Sequence, residues 1–263
     1  MINGKHLACR TRKHTMTDLL KGLAAWPTGD FSVFGEVEIG DLPRIQRFVA
    51  ANMGRNWVAI PHVTHHDDAD ITALEAARKA HNSASGVKLT IVPLLVKALA
   101  DALQQYPQFN VSLDPNQSKL IVKKYCHIGV AVDTPRGLLV PVLRDCDRKS
   151  AIELADELGV LAAKARDKGL SMEEMSGGCM TLSSLGHIGG TGFTPIVNAP
   201  EVAVMGVSKA RPVPVLGADG GLEWCTMLPL SLSYDHRVIN GAEAARFTAY
   251  VAERLGQPQY LLR

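Results

Sequence analysis

The sequence predicts an α/β protein, on three observations. Ser231 to Tyr234 alternates polar and apolar side chains, with Leu230, Leu232 and Tyr234 on one face, the period of a half-buried strand. Asn240 to Leu255 has helical spacing, with Ala244, Ala245, Phe247, Tyr250, Val251 and Leu255 as its apolar stripe, and Gly256 and Pro258 stop it. Upstream, TIVPLLVKALADALQQYP reads as a buried helix and Leu120 to Val142 as a run of strands.

The other elements follow in order. The segment MINGKHLACRTRKHT is basic and without periodicity, which makes residues 1–25 an N-terminal extension expected to be disordered or arm-like. A strand is expected around Phe34 to Ile39 and a helix from about Pro43 to Asn52. His62, Val63 and Thr64 alternate along a strand, which sends His62 to the face opposite Val63. The next helix starts at Thr72, read as a T-x-x-E box with Glu75. Thr90 caps the buried helix, Pro93 is tolerated in its first turn, and Pro107 ends it. Asp133 to Gly137 has the residues of a tight turn between strands. Ser150 and Glu153 form a capping box for a helix that runs to Asp167 and ends at Gly169; Ser171 and Glu174 repeat the device for one short turn. A strand from Cys179 to Ser183 leads into the glycine-rich loop from Gly186 to Gly192. Val202, Val204 and Val207 suggest a further strand, and Val213 to Trp224 a surface hairpin turning at Gly220-Gly221.

Composition excludes more than it identifies. The chain has 263 residues, is 46% hydrophobic and carries a formal net charge of +2, which gives no electrostatic case for nucleic acid. No apolar run reaches membrane-spanning length, so no membrane partner is expected. Cys9, Cys126, Cys146, Cys179 and Cys225 are odd in number, scattered and free of any CxxC pair, so neither a disulfide framework nor a zinc knuckle is expected, and a reducing cytoplasm fits. His62, His65, His66, Asp67 and Asp68 look like metal ligands, but they lie along a strand rather than converging from fixed elements. They read as a polar strand end near a subunit boundary, and no metal is expected. The glycine-rich loop is neither GxGxxG, since the third glycine is missing, nor a nucleophile elbow, since Ser184 is flanked by Leu182 and Gly186.

His236 sits between the strand and the helix that opens at Asn240. A histidine in a tight loop against a helix N-terminus is placed to act as a general base, because the helix end disfavours a nearby cation; a structural histidine in such a corner is the competing reading. The stretch DHRVING, residues 235 to 241, resembles the active-site signature of the dihydrolipoyl acyltransferases, the core subunits of 2-oxo acid dehydrogenase complexes. It is also similar to the wider HxxxD group of CoA-dependent acyltransferases that includes chloramphenicol acetyltransferase. The likeness continues through WPTGDFSVFGEVE, RNWVAIPHVT, VAVDTPRGLLVPV and GGCMTLSSLGHIGGTGFTPIVNAPEVAVMGVSK, and covers roughly nine-tenths of the chain. The blocks NAPEVAVMGVSK and GRNWVAIPHVTH look most like bacterial pyruvate-type members.

The resemblance implies a chloramphenicol acetyltransferase-like fold, a mixed β-sheet with flanking helices, over residues 26–263. It implies transfer of acetyl between dihydrolipoyl groups and CoA, so that acetyl-CoA is a substrate. His236 is then the base, and Ser183, by its position in TLSSLG, the group that stabilises the oxyanion. Asn240 stands where the family usually has Asp, and is read as part of the catalytic loop or as a helix cap. The implied assembly is a homotrimer with the site shared between subunits, able to join into a cubic particle through a tail resembling Tyr260-Leu261-Leu262, and other complex components are the expected partners. The sequence shows no lipoyl domain and no peripheral-subunit-binding domain, so the lipoyl group is expected from another chain. Two alternatives stay open: a structural core subunit without lipoyl arms, and an acetyltransferase acting on a small hydroxylated acceptor.

Overall fold

The computed structural model describes residues 28–262 apart from Val87, Pro115, Gln117, Arg136 and Ala218. The basic extension, residues 1–25, lies outside the described residues, as does Cys9. The chain divides into a unit ending at Pro43 and a unit beginning at Arg44. In the first, Asp30 caps a single 3-10 turn, Phe31–Val33, by accepting from the Ser32 amide at 3.0 Å. The strand expected at Phe34 to Ile39 does not form. Residues 36–43 lack regular structure, and Phe34, Val37 and Ile39 are exposed, because an apolar stretch becomes a strand only where a neighbour supplies its hydrogen bonds.

The second unit begins with helix α1, Arg44–Ala59, longer than expected because no proline interrupts it before Pro61. Strand β1, His62–Asp70, leads to α2, Thr72–Ser85. The expected T-x-x-E box is replaced. Asp70 accepts from both the amide and the hydroxyl of Thr72, and Glu75 pairs with Arg78 at 2.8 Å. Helix α3, Ile91–Gln105, has Thr90 at its N-cap, but the hydroxyl makes no capping bond. Pro93 occupies the third helical position, where the amide that a threonine cap would bond is missing. Strands β2 (Val111–Leu113) and β3 (Leu120–Val122) pair with each other. Then come β4 (Ile128–Val130), the hairpin of β5 (Val132–Thr134) and β6 (Gly137–Leu139), and β7 (Val142–Leu143). Helix α4, Ala151–Asp167, has the expected Ser150–Glu153 capping box. Strand β8, Met180–Ser184, precedes β9, Ala203–Val207, and β10, Arg211–Leu216. The expected separate hairpin and strand merge into one strand, β11, Leu222–Asp235. Helix α5, Gly241–Leu255, and the short α6, Pro258–Leu261, complete the chain.

The main sheet is mixed, in the order β1-β11-β9-β8-β4-β7, with β10 also paired to β11. Strand β8 runs parallel to β9 and to β4, and the other pairings are antiparallel. Alternation gives the sheet two unlike faces. Leu228, Leu230, Leu232 and Tyr234 of β11, with Met205, Leu182 and Met180, join a single core with α3 and α5. There Phe247 is fully buried and stacks on Phe109 at 4.1 Å between ring centroids. Leu261 is likewise fully buried in this core, while Tyr260 of the same tail is exposed. Phe247→Ala is expected to cost about 3–5 kcal/mol, measured as a shift in the urea midpoint at unchanged slope.

Candidate active site

The other face of the sheet is polar, and the chemistry collects there. In register, His62 stands opposite Asp235, Thr64 opposite Ser233, and His66 opposite Ser231. Ser231, Ser233 and Asp235 are all buried. Thr64 and Ser233 share a hydrogen bond of 2.7 Å, His66 Nδ1 lies 3.0 Å from the Ser231 hydroxyl, and the Phe193 amide donates to that hydroxyl at 3.4 Å. The segment carrying Phe193 thus lies on this row. Its ring covers Gly206, where a Cβ would fall 2.7 Å from the ring.

His62 uses both ring nitrogens. Nε2 accepts from the Val197 amide at 3.0 Å, so Nδ1 carries the proton and donates to Ile60 O at 2.8 Å; Trp57 stacks on the ring. With His62 and His66 committed to the protein, the metal-like cluster of the sequence disperses. Among the described residues no three histidine, cysteine or acidic side chains converge.

Strand β11 ends in a corner that is locked from several sides. The Asp235 amide donates to Val202 O at 2.8 Å, and the His236 amide to Pro61 O at 3.1 Å. Asp235, 2% exposed, accepts from the Arg237 amide at 3.0 Å and from its guanidinium in a bidentate pair. The bidentate pair fixes the loop geometry. It also raises the Arg237 pKa, first through the hydrogen bonds to Asp235. Asn240 is the N-cap of α5. Its side chain accepts from the Glu243 amide at 3.0 Å, and the Glu243 carboxylate accepts from the Asn240 amide at 3.0 Å. Of the two roles expected for Asn240, capping is the one its side chain performs here.

The His236 ring, by contrast, is exposed and hydrogen-bonds to none of the described residues; its nearest aromatic neighbour is Tyr234, at 5.8 Å. An imidazole on a rigid corner with both nitrogens unclaimed can take a proton from an incoming ligand. Ser183 shares the polar face with Thr181, is half-buried, and its hydroxyl also bonds to none of the described residues. Ser184 points to the opposite face, and its oxygen accepts from the Gly186 amide at 3.4 Å.

His236 and Asn240 therefore share one corner, whereas Ser183 is remote from it. Ser183 is level with Gly206, Gly206 with Ser231, and His236 follows five positions later, one residue beyond the end of β11. At about 3.3 Å per residue this is roughly 16 Å along the strand, plus two sideways steps of about 4.8 Å. A groove of about 670 Å³, lined by Lys97, Asp101, Arg148, Glu153, Tyr250 and Arg254 among others, includes none of the three residues.

Sequence reasoning missed the Asp235–Arg237 pair and Glu201. Glu201 is buried beside β8, accepts from the Thr181 hydroxyl at 2.7 Å, and has its pKa pushed up to about 7 by burial, against the lowering effects of Thr181 and Lys123. Burial also raises the Cys126, Cys146 and Cys179 thiols, which marks them as packing groups rather than nucleophiles.

The profile of the family described as 2-oxoacid dehydrogenases acyltransferase (catalytic domain) matches residues 35–263. The chain belongs to this family. It is 58% identical over 245 residues to the dihydrolipoyllysine-residue acetyltransferase component of the pyruvate dehydrogenase complex from Pseudomonas aeruginosa, covering 92% of this chain and 44% of that relative. The chain thus spans less than half the length of that relative. Among solved structures it is similar to dihydrolipoamide acetyltransferase of Azotobacter vinelandii, with a TM-score of 0.88, 52% identity, and coverage of 92% of this chain and all of that one. The cubic core of the pyruvate dehydrogenase multienzyme complex is equally similar, at TM-score 0.88 and 53% identity over the same shares. Chloramphenicol acetyltransferase, at 13% identity and TM-score 0.52, over 78% of this chain and 94% of that one, shares the fold alone. The fold expected from the sequence, a mixed sheet with flanking helices of the chloramphenicol acetyltransferase type, is the one found. No described helix is long and apolar enough to cross a membrane.

One pH dependence follows from Glu201. Its pKa is raised in the folded chain from 4.5 to about 7, so its favourable contribution is complete below the unfolded pKa and is lost as pH rises through the folded one. Urea midpoints across about pH 5 to 8 are expected to show this decline, and Glu201→Gln, neutral throughout, to flatten it.

Proposed function

We propose that this chain is an acyltransferase that moves acetyl between a dihydrolipoyl thiol and CoA. The observation that carries the reading is the unclaimed His236 imidazole on a corner braced by Asp235 and Arg237, in a chain of this family. A free thiol near pKa 8.5 is mostly protonated at neutral pH. His236 takes that proton as the sulfur attacks the thioester carbonyl, forming a carbon–sulfur bond and a tetrahedral oxyanion. Collapse breaks the original carbon–sulfur bond, and the departing thiolate recovers the proton from the imidazolium. No acyl-enzyme is needed when both thiols are bound together; the protein aligns them and stabilises the oxyanion.

The oxyanion donor is Ser183. A study of the Azotobacter vinelandii enzyme concerns a serine, a histidine and an asparagine in its mechanism, the asparagine four positions after the histidine and the serine 52 before it. Asn240 keeps the first spacing from His236. The second falls on Ser184, and Ser183 is one position further back. Between the serine pair and His236 lies the β10–β11 turn, exposed at Asp219, Gly220 and Gly221, where one extra residue is easily absorbed. Spacing alone therefore does not choose, but the polar face and the unbonded hydroxyl favour Ser183. Since one chain holds Ser183 and His236 far apart, the serine of one subunit serves the histidine of another, and the working unit is a trimer, the building block of a cubic particle. The free cysteines Cys126, Cys146 and Cys179, all buried, suit a reducing cytoplasm.

A steady-state assay with free dihydrolipoamide and acetyl-CoA tests the reading. Turnover is expected with wild type, and His236→Ala is expected to lower kcat by about two to four orders of magnitude with the oligomer intact by light scattering. A variant retaining full turnover would remove His236 from the mechanism. Ser183→Ala is expected to lower kcat by about two to three orders of magnitude, and Ser184→Ala by much less. The reverse ranking in the same assay would hand the oxyanion role to Ser184.

A further inference from the structure

The two halves of the proposed site are joined inside each subunit by one buried side chain. Glu201 immediately precedes Val202, whose carbonyl accepts from the Asp235 amide at 2.8 Å, one residue before His236. Its own amide donates to Asn198 O at 3.0 Å. The carboxylate crosses to β8, where Thr181 donates to Oε2 at 2.7 Å and Oε1 lies so close to Gly178 that a Cβ there would fall 2.6 Å from it. Lys123, the residue after β3, donates to Gly178 O at 3.1 Å and closes the arrangement. Thr181 is two residues before Ser183 on the same strand and the same face. A covalent and hydrogen-bonded path therefore runs from Ser183 through Thr181, Glu201, Val202 and Asp235 to His236.

We propose that Glu201 is a positioning residue for acyl transfer, holding the strand that presents Ser183 and the corner that presents His236 in fixed relation. The inference rests on the acyltransfer reading above. Where serine and histidine meet across a subunit boundary, each subunit gives its serine to one channel and its histidine to the next. Glu201 then couples neighbouring channels, and a small shift of either group misaligns reacting atoms that need sub-ångström placement. A buried acid is costly to keep, and a hydrophobic residue of similar size would pack the same space without needing Thr181. A buried acid beside a donor aligned to it points to placement rather than bulk.

The test compares Thr181→Val, Glu201→Ala and Glu201→Gln with wild type, reading kcat, KM for both thiol substrates, thermal unfolding and oligomer size. Thr181→Val and Glu201→Ala are expected to lower kcat about ten- to hundredfold with each KM within about threefold and the oligomer intact. Glu201→Gln, whose carbonyl still accepts from Thr181, is expected to stay within about threefold of wild type. An active wild type with Thr181→Val and Glu201→Ala both at full kcat would overturn this inference and leave the acyltransfer reading standing. Loss of kcat only in step with dissociation or unfolding in both variants would overturn it too, by making Glu201 a folding residue. An inactive wild type would remove the acyltransfer reading, and this inference with it.

Discussion

The two-residue period of β11 is the constraint on which the rest depends. Each step along this strand alternates between a face that must be dry and a face that must be polar. Leu228, Leu230, Leu232 and Tyr234 leave no room for water on one side, while Ser231, Ser233 and Asp235 are buried on the other. Three strands pair with β11, so its register is set from both sides and a one-residue slip would put all seven side chains on the wrong face. Ser233 and Ser231 survive burial because β1 meets them with Thr64 and His66, and Asp235 because Arg237 meets it. The sheet thereby fixes the corner at its end. Asp235 is the last residue of the pattern, and its carboxylate is turned to Arg237 to shape the loop that carries His236.

This division of labour separates stability from chemistry within a single strand. The leucine row is tied to α3 and α5, and α5 in turn starts at the cap made by Asn240. Substitutions in the dry row are therefore felt as loss of folding, and those at the corner as a change in the loop that presents His236. Asn240 lies on the boundary. It stands within the loop that carries the histidine, yet what its side chain does is hold the first turn of the helix. An asparagine can do this as well as an aspartate, which explains how the chain departs from the commoner residue without losing the local geometry.

Much of the fold was legible because local rules carried it. Ser150 with Glu153, Asn240 with Glu243, and the apolar stripe of Leu94, Leu95 and Leu99 each point to one structure without help from distant residues. Failures occurred where a non-local partner decided. Thr72 gave its hydroxyl to Asp70, Thr90 lost its cap to Pro93, and Phe34 to Ile39 found no strand to pair with. The site divides in the same way. His236 and its corner could be read from one contiguous motif, and Ser183 from the block around it. The Glu201–Thr181 contact spans twenty positions, and the Asp235–His62 pairing far more, so neither leaves a periodic trace. Aligning the two alternating polar rows, His62-Thr64-His66 and Ser231-Ser233-Asp235, was the one signal that could have revealed the polar face.

The burial of Leu261 bears on how this protein is handled. A peptide tag or reporter inserted in its last turn displaces a side chain wedged between helices. Arg254 also stacks over Tyr260, at 4.6 Å, and pins the last turn from the outside. A bulky label attached beside Leu261 levers against that wedge. This turn works as a latch on the helical layer, which makes it an unsuitable attachment point for immobilisation or labelling.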